Sequence, residues 1–529
     1  MCSREVISAN STIEDMKKTL YIFLLMFASL GVMACSSGNN EDDATEGNGV
    51  LKETVTQRSC SISEGAEVDA ATTTTITLAY NTTVSVSSNA NITLNGTKVT
   101  AQKGAVTAMN IDIPVTLEAG TSYTLSVPSG SVLATSDATR TAPAFTLNFT
   151  TKKAASKDIP DNEATALTQK LGFMWNLGNH FDSHNNGAKS GWWDGATPTE
   201  ALYKALAAAG VKTVRIPVTW GPYEGEAPSY TIESELIDVV KQNVEWAKNA
   251  GLNVILNTHH DEYWLDIYSG SINSTTNASI EARITATWTQ IAEAFKDEGD
   301  YLIFEAFNEI QDGGWGYGKS TSDGGKQYKL LNEWNQTAVN AIRATGGNNA
   351  KRWIAVHGYA ASPTHTMNYM TLPDDTANKI IVAVHSYNPS SFTISDPLDE
   401  TWGHNANKAT DETDLQKIFS DLKAAYIDNN IPCYMDEFGC SCHTTTLGEK
   451  CRAYYLEYFC RLAHNAGIAV GLWDNFYAGA GPEHHAYFSH NDGSWMDGGE
   501  KLVKMMIKAA TSNDDSYTIE SIYNTAPRK

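Results

Sequence analysis

Two textures of apolar and polar positions divide the chain. From about residue 60 to 151 apolar side chains alternate with polar ones, many of them threonine: Ile76, Leu78 and Tyr80; Ile111, Ile113, Val115 and Leu117; Tyr123, Leu125 and Val127; Phe145, Leu147 and Phe149. A period of two buries one face of an extended segment, so this stretch predicts half-buried strands. Asn95-Gly96, between ITL and TKV, predicts a two-residue hairpin, since both residue types tolerate the positive φ such a turn needs. Roughly seven short strands over this length predict a small all-β sandwich.

Beyond the polar segment KKAASKDIPDNE the texture changes to alternating helix and strand. In TPTEALYKALAAAG, Thr197 reads as the N-cap, Pro198 as the first helical residue, Glu200 as the partner in a capping box and Gly210 as the stop. A helix ending in AAG or NAG and then a β-branched run recurs as AAAGVKTVRIPVTW, KNAGLNVILNTHH and HNAGIAVGLWDN. Each helix there returns the chain to a parallel strand. The runs are GFMWNLGN, TVRIPVTW, NVILNTHH, LIFEAFNE, RWIAVHGY, IIVAVHSY, IPCYMDEFG and IAVGLWDN. Eight of them with intervening helices predict an α/β fold, a (β/α)8 TIM barrel, in preference to an open doubly wound sheet.

The N-terminus adds an address. From Met16, MKKTLYIFLLMFASLGVMAC has two lysines, an apolar run and small residues, the layout of an export signal. Its VMAC ending resembles a bacterial lipobox, which implies lipidation of Cys35 and an exported lipoprotein held at the outer membrane or cell surface of a Gram-negative bacterium. The expected organisation is therefore a signal segment at 1–35, with Met16 as the start, a flexible acidic tether at 36–59, and a sandwich resembling bacterial Ig-like modules at 60–151. A linker at 152–163, the barrel at 164–512 and a C-terminal tail at 513–529 complete it. No later stretch approaches the roughly 20 apolar residues of a membrane span, so membrane contact is expected through the lipid anchor alone.

Composition narrows the partner. With 38 Lys and Arg against 61 Asp and Glu the formal charge is −23, which disfavours nucleic acid and suits a neutral polymer such as sugar. The 13 tryptophans supply flat apolar faces on which sugar rings pack. Besides Cys2 and Cys35 there are Cys60, Cys433, Cys440, Cys442, Cys451 and Cys460, whose pairing sequence alone leaves open. The C-x-C-H spacing of Cys440, Cys442 and His443 is not that of a usual zinc site; no metal or cofactor is expected, and a monomer is.

Polar residues close nearly every strand-like run. Asn179, Arg215, His259 and His260, Asn308 and Glu309, His385 and Tyr387, Glu437, and Trp473 fall at C-terminal ends, the face where such barrels place their sites. Glu309 and Glu437 are the carboxylate pair that glycosidic cleavage needs, one to protonate the leaving oxygen and one to attack. Glu305, on the same side of its strand as Glu309 but four residues earlier, is expected about 13 Å deeper and structural. Arg215 beside a nucleophilic carboxylate favours its ionised form.

The ordered set GFMWNLGN, VRIPVTW, NTHHD, FEAFNE, VHSYNP, DEFG and GLWDN, over roughly residues 165 to 510, resembles glycoside hydrolase family 5, in its endo-β-1,4-glucanase and xyloglucanase branch. The resemblance implies a retaining hydrolase of plant cell-wall β-glucan, with Glu309 as acid/base and Glu437 as nucleophile. It further implies support from Arg215, His259, His260, Asn308, His385 and Tyr387, and substrate contact from Asn179 and Trp473; Trp264 and Trp315, on loops, are additional expected platforms. Asp436 stands where that family often has glycine, and Phe476 follows Trp-Asp-Asn where it often has glycine.

Overall fold

The computed structural model describes residues 54–68, 70, 73–152, 159–265, 267, 272–312, 325–496 and 498–529. The expected signal, its Cys35, most of the tether, and Trp315 lie outside them. Among the described residues no helix is long and apolar enough to cross a membrane.

Between Gln57 and Thr151 the chain forms twelve short strands in sheets of four, three and five, more than the seven expected because several segments pair over only two or three residues. The core contains Ile76, Leu78, Ile111, Ile113, Leu125, Leu147 and Phe149, the inward positions of the alternation. Thr93–Leu94 and Thr97–Lys98 pair antiparallel across Asn95 and Gly96, whose φ values are 49° and 80°.

The second unit is a closed barrel of eight parallel strands: β1 Phe173–Leu177, β2 Thr213–Ile216, β3 Asn253–Asn257, β4 Leu302–Glu305, β5 Ile354–His357, β6 Ile380–Ser386, β7 Cys433–Phe438 and β8 Ala469–Asp474. All eight coincide with the apolar runs. They are legible because both faces are buried: Val214, Leu256, Phe304, Val356 and Leu472 pack outward into the helix layer. Met174, Ile255, Ile303, Ala355, Ile381 and Tyr434 point inward, each large aliphatic one worth about 1.5–3 kcal/mol of burial. The helix Glu163–Leu171, capped by Asn162, places Leu167 and Leu171 in this interior cluster.

Two local expectations are corrected. The helix expected from Thr197 runs Glu200–Ala209 with Thr199 as N-cap. Thr197 N–H instead donates to Asn491 Oδ1 and Thr199 Oγ1 to the Asn491 carbonyl, so both threonines fasten this start to a distant loop. The C-terminal segment is no loose tail: Ile519–Tyr523 is helical, Tyr523 stacks on His404 at 3.9 Å, and Ile522 and Ala526 join the barrel core.

One irregularity shapes the upper rim. Between β6 and β7 Val384 pairs with Met435 but His385 pairs with Glu437, so Asp436 is an extra residue, a β-bulge. Its carbonyl presses on β8 at Gly471, where a Cβ would lie 2.3 Å from that oxygen. Glycine is the residue that fits.

Candidate active site

Above the apolar interior layer the strands turn polar. Asn176 on β1, Arg215 on β2, Asn257 on β3, Glu305 on β4, His357 on β5, His385 on β6, Asp436 and Glu437 on β7 and Trp473 on β8 are all buried. Arg215 is the hub, with 0% of its surface exposed. Its Nη1 donates to Glu437 Oε1 at 2.6 Å and to Asn176 Oδ1 at 3.1 Å. Nη2 donates to Glu305 Oε1 at 2.8 Å and Asn308 Oδ1 at 2.9 Å, and Nε to Glu305 Oε1 at 3.0 Å.

Shared bonding to Nη2 corrects the expected depth of Glu305. β4 ends there, the chain leaves the extended conformation, and Glu305 becomes the floor of the site instead of lying far beneath it. Asn257 Nδ2 and Tyr434 Oη donate to Glu305 from the other sides, at 3.0 and 3.2 Å.

Glu309 and Glu437 meet at His385. Nδ1 of His385 is 2.7 Å from Glu309 Oε1 and 3.7 Å from Glu437 Oε2, and one oxygen of each carboxylate lies within 4.8 Å of the other's. Tyr387 Oη donates to Glu437 Oε2 at 3.0 Å, so both oxygens of Glu437 are held. Glu309 is the more open of the two, its side chain 19% exposed against 7%.

Electrostatics orders these groups. Burial opposes the Arg215 charge, but Glu305, Asp436 and Glu437 hold its pKa well above the ordinary arginine value. Burial raises Glu305 to about 7, partly offset by Arg215 and reinforced by Asp436. Asp436 goes the other way: against burial, His357, His385 and Arg215 hold it well below the usual carboxylate range. Burial, then His260 and Arg215, push His259 well down, so it is a neutral ring.

Of the other expected contacts, His259 lies parallel to Trp473, 5.9 Å between centroids with planes 3° apart. A Cβ at Gly178 would meet Trp473 Cζ2 at 2.7 Å, so glycine lets β1 pass under that indole. His260, Trp193 and His184 form an open aromatic group with centroids 5.8 Å apart from His260 to each, and Tyr263 stacks on His184. Trp193 is 47% exposed. Trp264 has Arg283 over its ring at 4.2 Å and donates Nε1–H to Asp261 at 3.1 Å, so it is a packing residue. Asn179, with φ 61°, builds the turn after β1, its backbone N–H bonded to Asp182 and its carbonyl to Ser183 and Asp194. Asn176, three residues earlier, is the β1 asparagine that touches Arg215.

Sequence reasoning missed Asn176, Asn257, His357 and Asp436. The first three each share the inward face with an apolar residue two positions earlier, but with both strand faces apolar the sequence does not say which face that is. Asp436 stands in the same relation to Tyr434. Alternation from Tyr434 turns Asp436 inward but sends Glu437 out, and only the extra residue brings both inside. Among the described residues, three groups bring ligand-type atoms within 4.8 Å: Asp182, His259 and His260; His357, His385 and Asp436; and Glu309, His385 and Glu437. The six cysteines among the described residues are free thiols.

Comparison with known proteins agrees with this geometry. The family model described as cellulase (glycosyl hydrolase family 5) matches residues 177–479. Endoglucanase B of Clostridium cellulovorans is 32% identical over 70% of this chain and 81% of its own. A xyloglucan-specific endo-β-1,4-glucanase of Bacteroides ovatus is 31% identical over 63% of this chain and 69% of its own. The solved structure of a GH5-4 broad specificity endoglucanase from Bacteroides salanitronis is 40% identical, with a TM-score of 0.64, over 67% of this chain and 97% of that one. With a closed eightfold barrel, two carboxylates facing each other at its C-terminal rim and a family match over more than half its length, the chain belongs to the cellulase family, glycosyl hydrolase family 5.

Proposed function

We propose that this protein is a retaining, endo-acting glycoside hydrolase that cuts internal β-1,4-glucosidic bonds of plant cell-wall glucans. The observation that carries the reading is the closeness of Glu309 and Glu437, with oxygens within 4.8 Å. Retaining enzymes hold their carboxyl groups about 5–5.5 Å apart, whereas inverting ones need roughly 6.5–9.5 Å to admit a water between them. In the first step Glu437 attacks the anomeric carbon, the bond to the leaving oxygen breaks, and Glu309 gives that oxygen its proton. In the second, Glu309 takes a proton from water, the hydroxide oxygen bonds to the anomeric carbon, and Glu437 leaves as a carboxylate.

Arg215 and Tyr387 keep Glu437 ionised and aimed, Asn308 secures the turn that carries Glu309, and Trp473 with the Trp193 group offers faces to successive sugars. Open aromatic ground on the rim suits a chain threaded through, not a single terminal sugar. The relatives' descriptions as endoglucanases, one xyloglucan-specific and one of broad specificity, support cellulose, mixed-linkage glucan and xyloglucan as the substrate class.

Proton NMR of freshly cleaved mixed-linkage glucan, xyloglucan, carboxymethylcellulose and mannan checks the reading. The β-anomer appears first, viscosity falls faster than reducing ends accumulate, and glucans are cut in preference to mannan. An initial α-anomer removes the retaining mechanism; release of single terminal sugars removes endo action; cleavage of mannan alone removes the glucan assignment.

We further propose that the enzyme works tethered at the outer surface, its all-β unit an Ig-like spacer. The support is the lipobox-like VMAC and the acidic segment SSGNNEDD after it. Radiolabelled palmitate is expected in the protein expressed in a Gram-negative host and absent from Cys35→Ala; equal labelling of both sinks the anchor.

A further inference from the structure

The His385 ring has carboxylates at both edges. Nδ1 faces Glu309 and Glu437, and Nε2 lies 3.4 Å from Asp436 Oδ2. That same oxygen is 3.1 Å from His357 Nε2 and 3.4 Å from Arg215 Nε, and the two histidine rings meet edge to face at 5.1 Å. Water is shut out: His357 is 1% exposed, His385 5% and Asp436 0%. Every strand packed around His385 contributes its chemistry, namely Arg215 from β2, His259 from β3, Glu309 from the end of β4, His357 from β5, and Asp436 and Glu437 from β7, with Tyr387 on its own strand end.

A neutral imidazole donates from one nitrogen only. With a carboxylate at each edge, hydrogen-bonded at Nδ1 and in ion-pair contact at 3.4 Å without a hydrogen bond at Nε2, the ring that both favour is the doubly protonated one. We infer that Asp436, braced by His357, is a positioning residue that keeps His385 an imidazolium with its Nδ1–H aimed at Glu309 through both displacement steps. This rests on the proposed roles of Glu309 and Glu437.

The need for Asp436 follows from charge accounting. When Glu437 becomes an ester it loses its negative charge, and Glu309, having given its proton to the leaving oxygen, gains one. His385 transfers no proton in either step. Glu437 has stopped supporting the imidazolium at the moment Glu309 most needs a charged donor; Asp436, outside the reaction, keeps its charge throughout. Although burial pulls His385 down, Glu437, Asp436 and Glu309 hold it well above the ordinary histidine value of 6.5. A group so raised is charged below its folded pKa and loses the charge as pH climbs through it. Asp436 therefore extends activity on the alkaline side.

The test is the pH profile of kcat and KM on soluble mixed-linkage glucan for the full chain and for Asp436→Asn, His357→Gln and Glu309→Gln, with ¹⁵N NMR of histidine-labelled protein. The His385 signals are assigned by their loss in His385→Gln. Asp436→Asn is expected to move the alkaline limb of kcat down by about one pH unit or more, with KM little changed, and to convert the His385 signal from imidazolium to neutral ring at correspondingly lower pH. His357→Gln is expected to shift both in the same direction by less. A limb and a His385 titration unmoved in Asp436→Asn, with activity merely scaled, overturn the inference; if that variant does not fold, His357→Gln decides by the same criterion. An active Glu309→Gln sinks the reading of the acid/base itself, whereas an inactive one beside an unmoved limb sinks only the role given to Asp436.

Discussion

Glu437→Gln is expected to lower turnover on glucan by a factor on the order of 10⁴ or more, the scale seen when a nucleophile acting in a concerted unit is removed. The amide keeps the shape and can still face Arg215 and Tyr387, so the fold should survive. What disappears is the charge that attacks the anomeric carbon. Glu309→Gln removes proton transfer instead, which is worth about 10²–10⁴-fold. The two are separated by a substrate with an acidic phenol as leaving group, which needs no proton: Glu309→Gln then forms the glycosyl-enzyme and stalls, giving a burst, while Glu437→Gln gives none. Reducing-end release and stopped-flow phenol absorbance measure both. Undiminished hydrolysis in either variant removes the assignment of that carboxylate.

The second large effect is on stability. Arg215 pairs with Glu305, Asp436 and Glu437 at 2.8, 3.4 and 2.6 Å, all sealed from water. Arg215→Met keeps much of the volume but strands these carboxylates, and breaking a buried pair this way costs about 3–5 kcal/mol. The loss should depend on pH with a definite sign. Glu305 has a folded pKa of about 7 against an ordinary 4.5 even with Arg215 present, and removing the guanidinium raises it further. The folded variant then binds more protons than the unfolded chain, so its stability falls as pH rises above 4.5 and partly returns on acidification. Denaturant melts at pH 5 and pH 7.5 test this. Adding Glu305→Gln should restore part of the stability at pH 7.5 and none of the activity, because the nucleophile still lacks its partner. A variant as stable as the parent at both pH values contradicts the hub.

How far the chain could be read depends on where geometry repeats. Barrel strands announce themselves because each is apolar on both faces, and their polar last residues announce the rim. Glu309, Arg215 and His385 needed nothing more than that, whereas Glu437 faces inward only through the bulge, which alternation does not show. His357 was passed over because its run, RWIAVHGY, looks like a buried strand with one polar interruption; its inward direction follows only once Ala355 is known to face the interior. Trp193 and Trp264 are both loop tryptophans in sequence, and what separates them is Arg283, contributed by the helix Ser274–Ala294. The cap at Thr199 in place of Thr197 was set by Asn491, nearly three hundred positions away. Local pattern carries local structure; contacts closed by the fold do not show in it.

The bulge at Asp436 carries a lesson for anyone recombining such barrels. A β7 of the same length laid in without the bulge would face Glu437 toward the helices, and a bulge placed one residue later would leave only Asp436 facing the cleft. β7 and the Gly471 that accommodates it form a single exchangeable cassette, to be moved together or not at all.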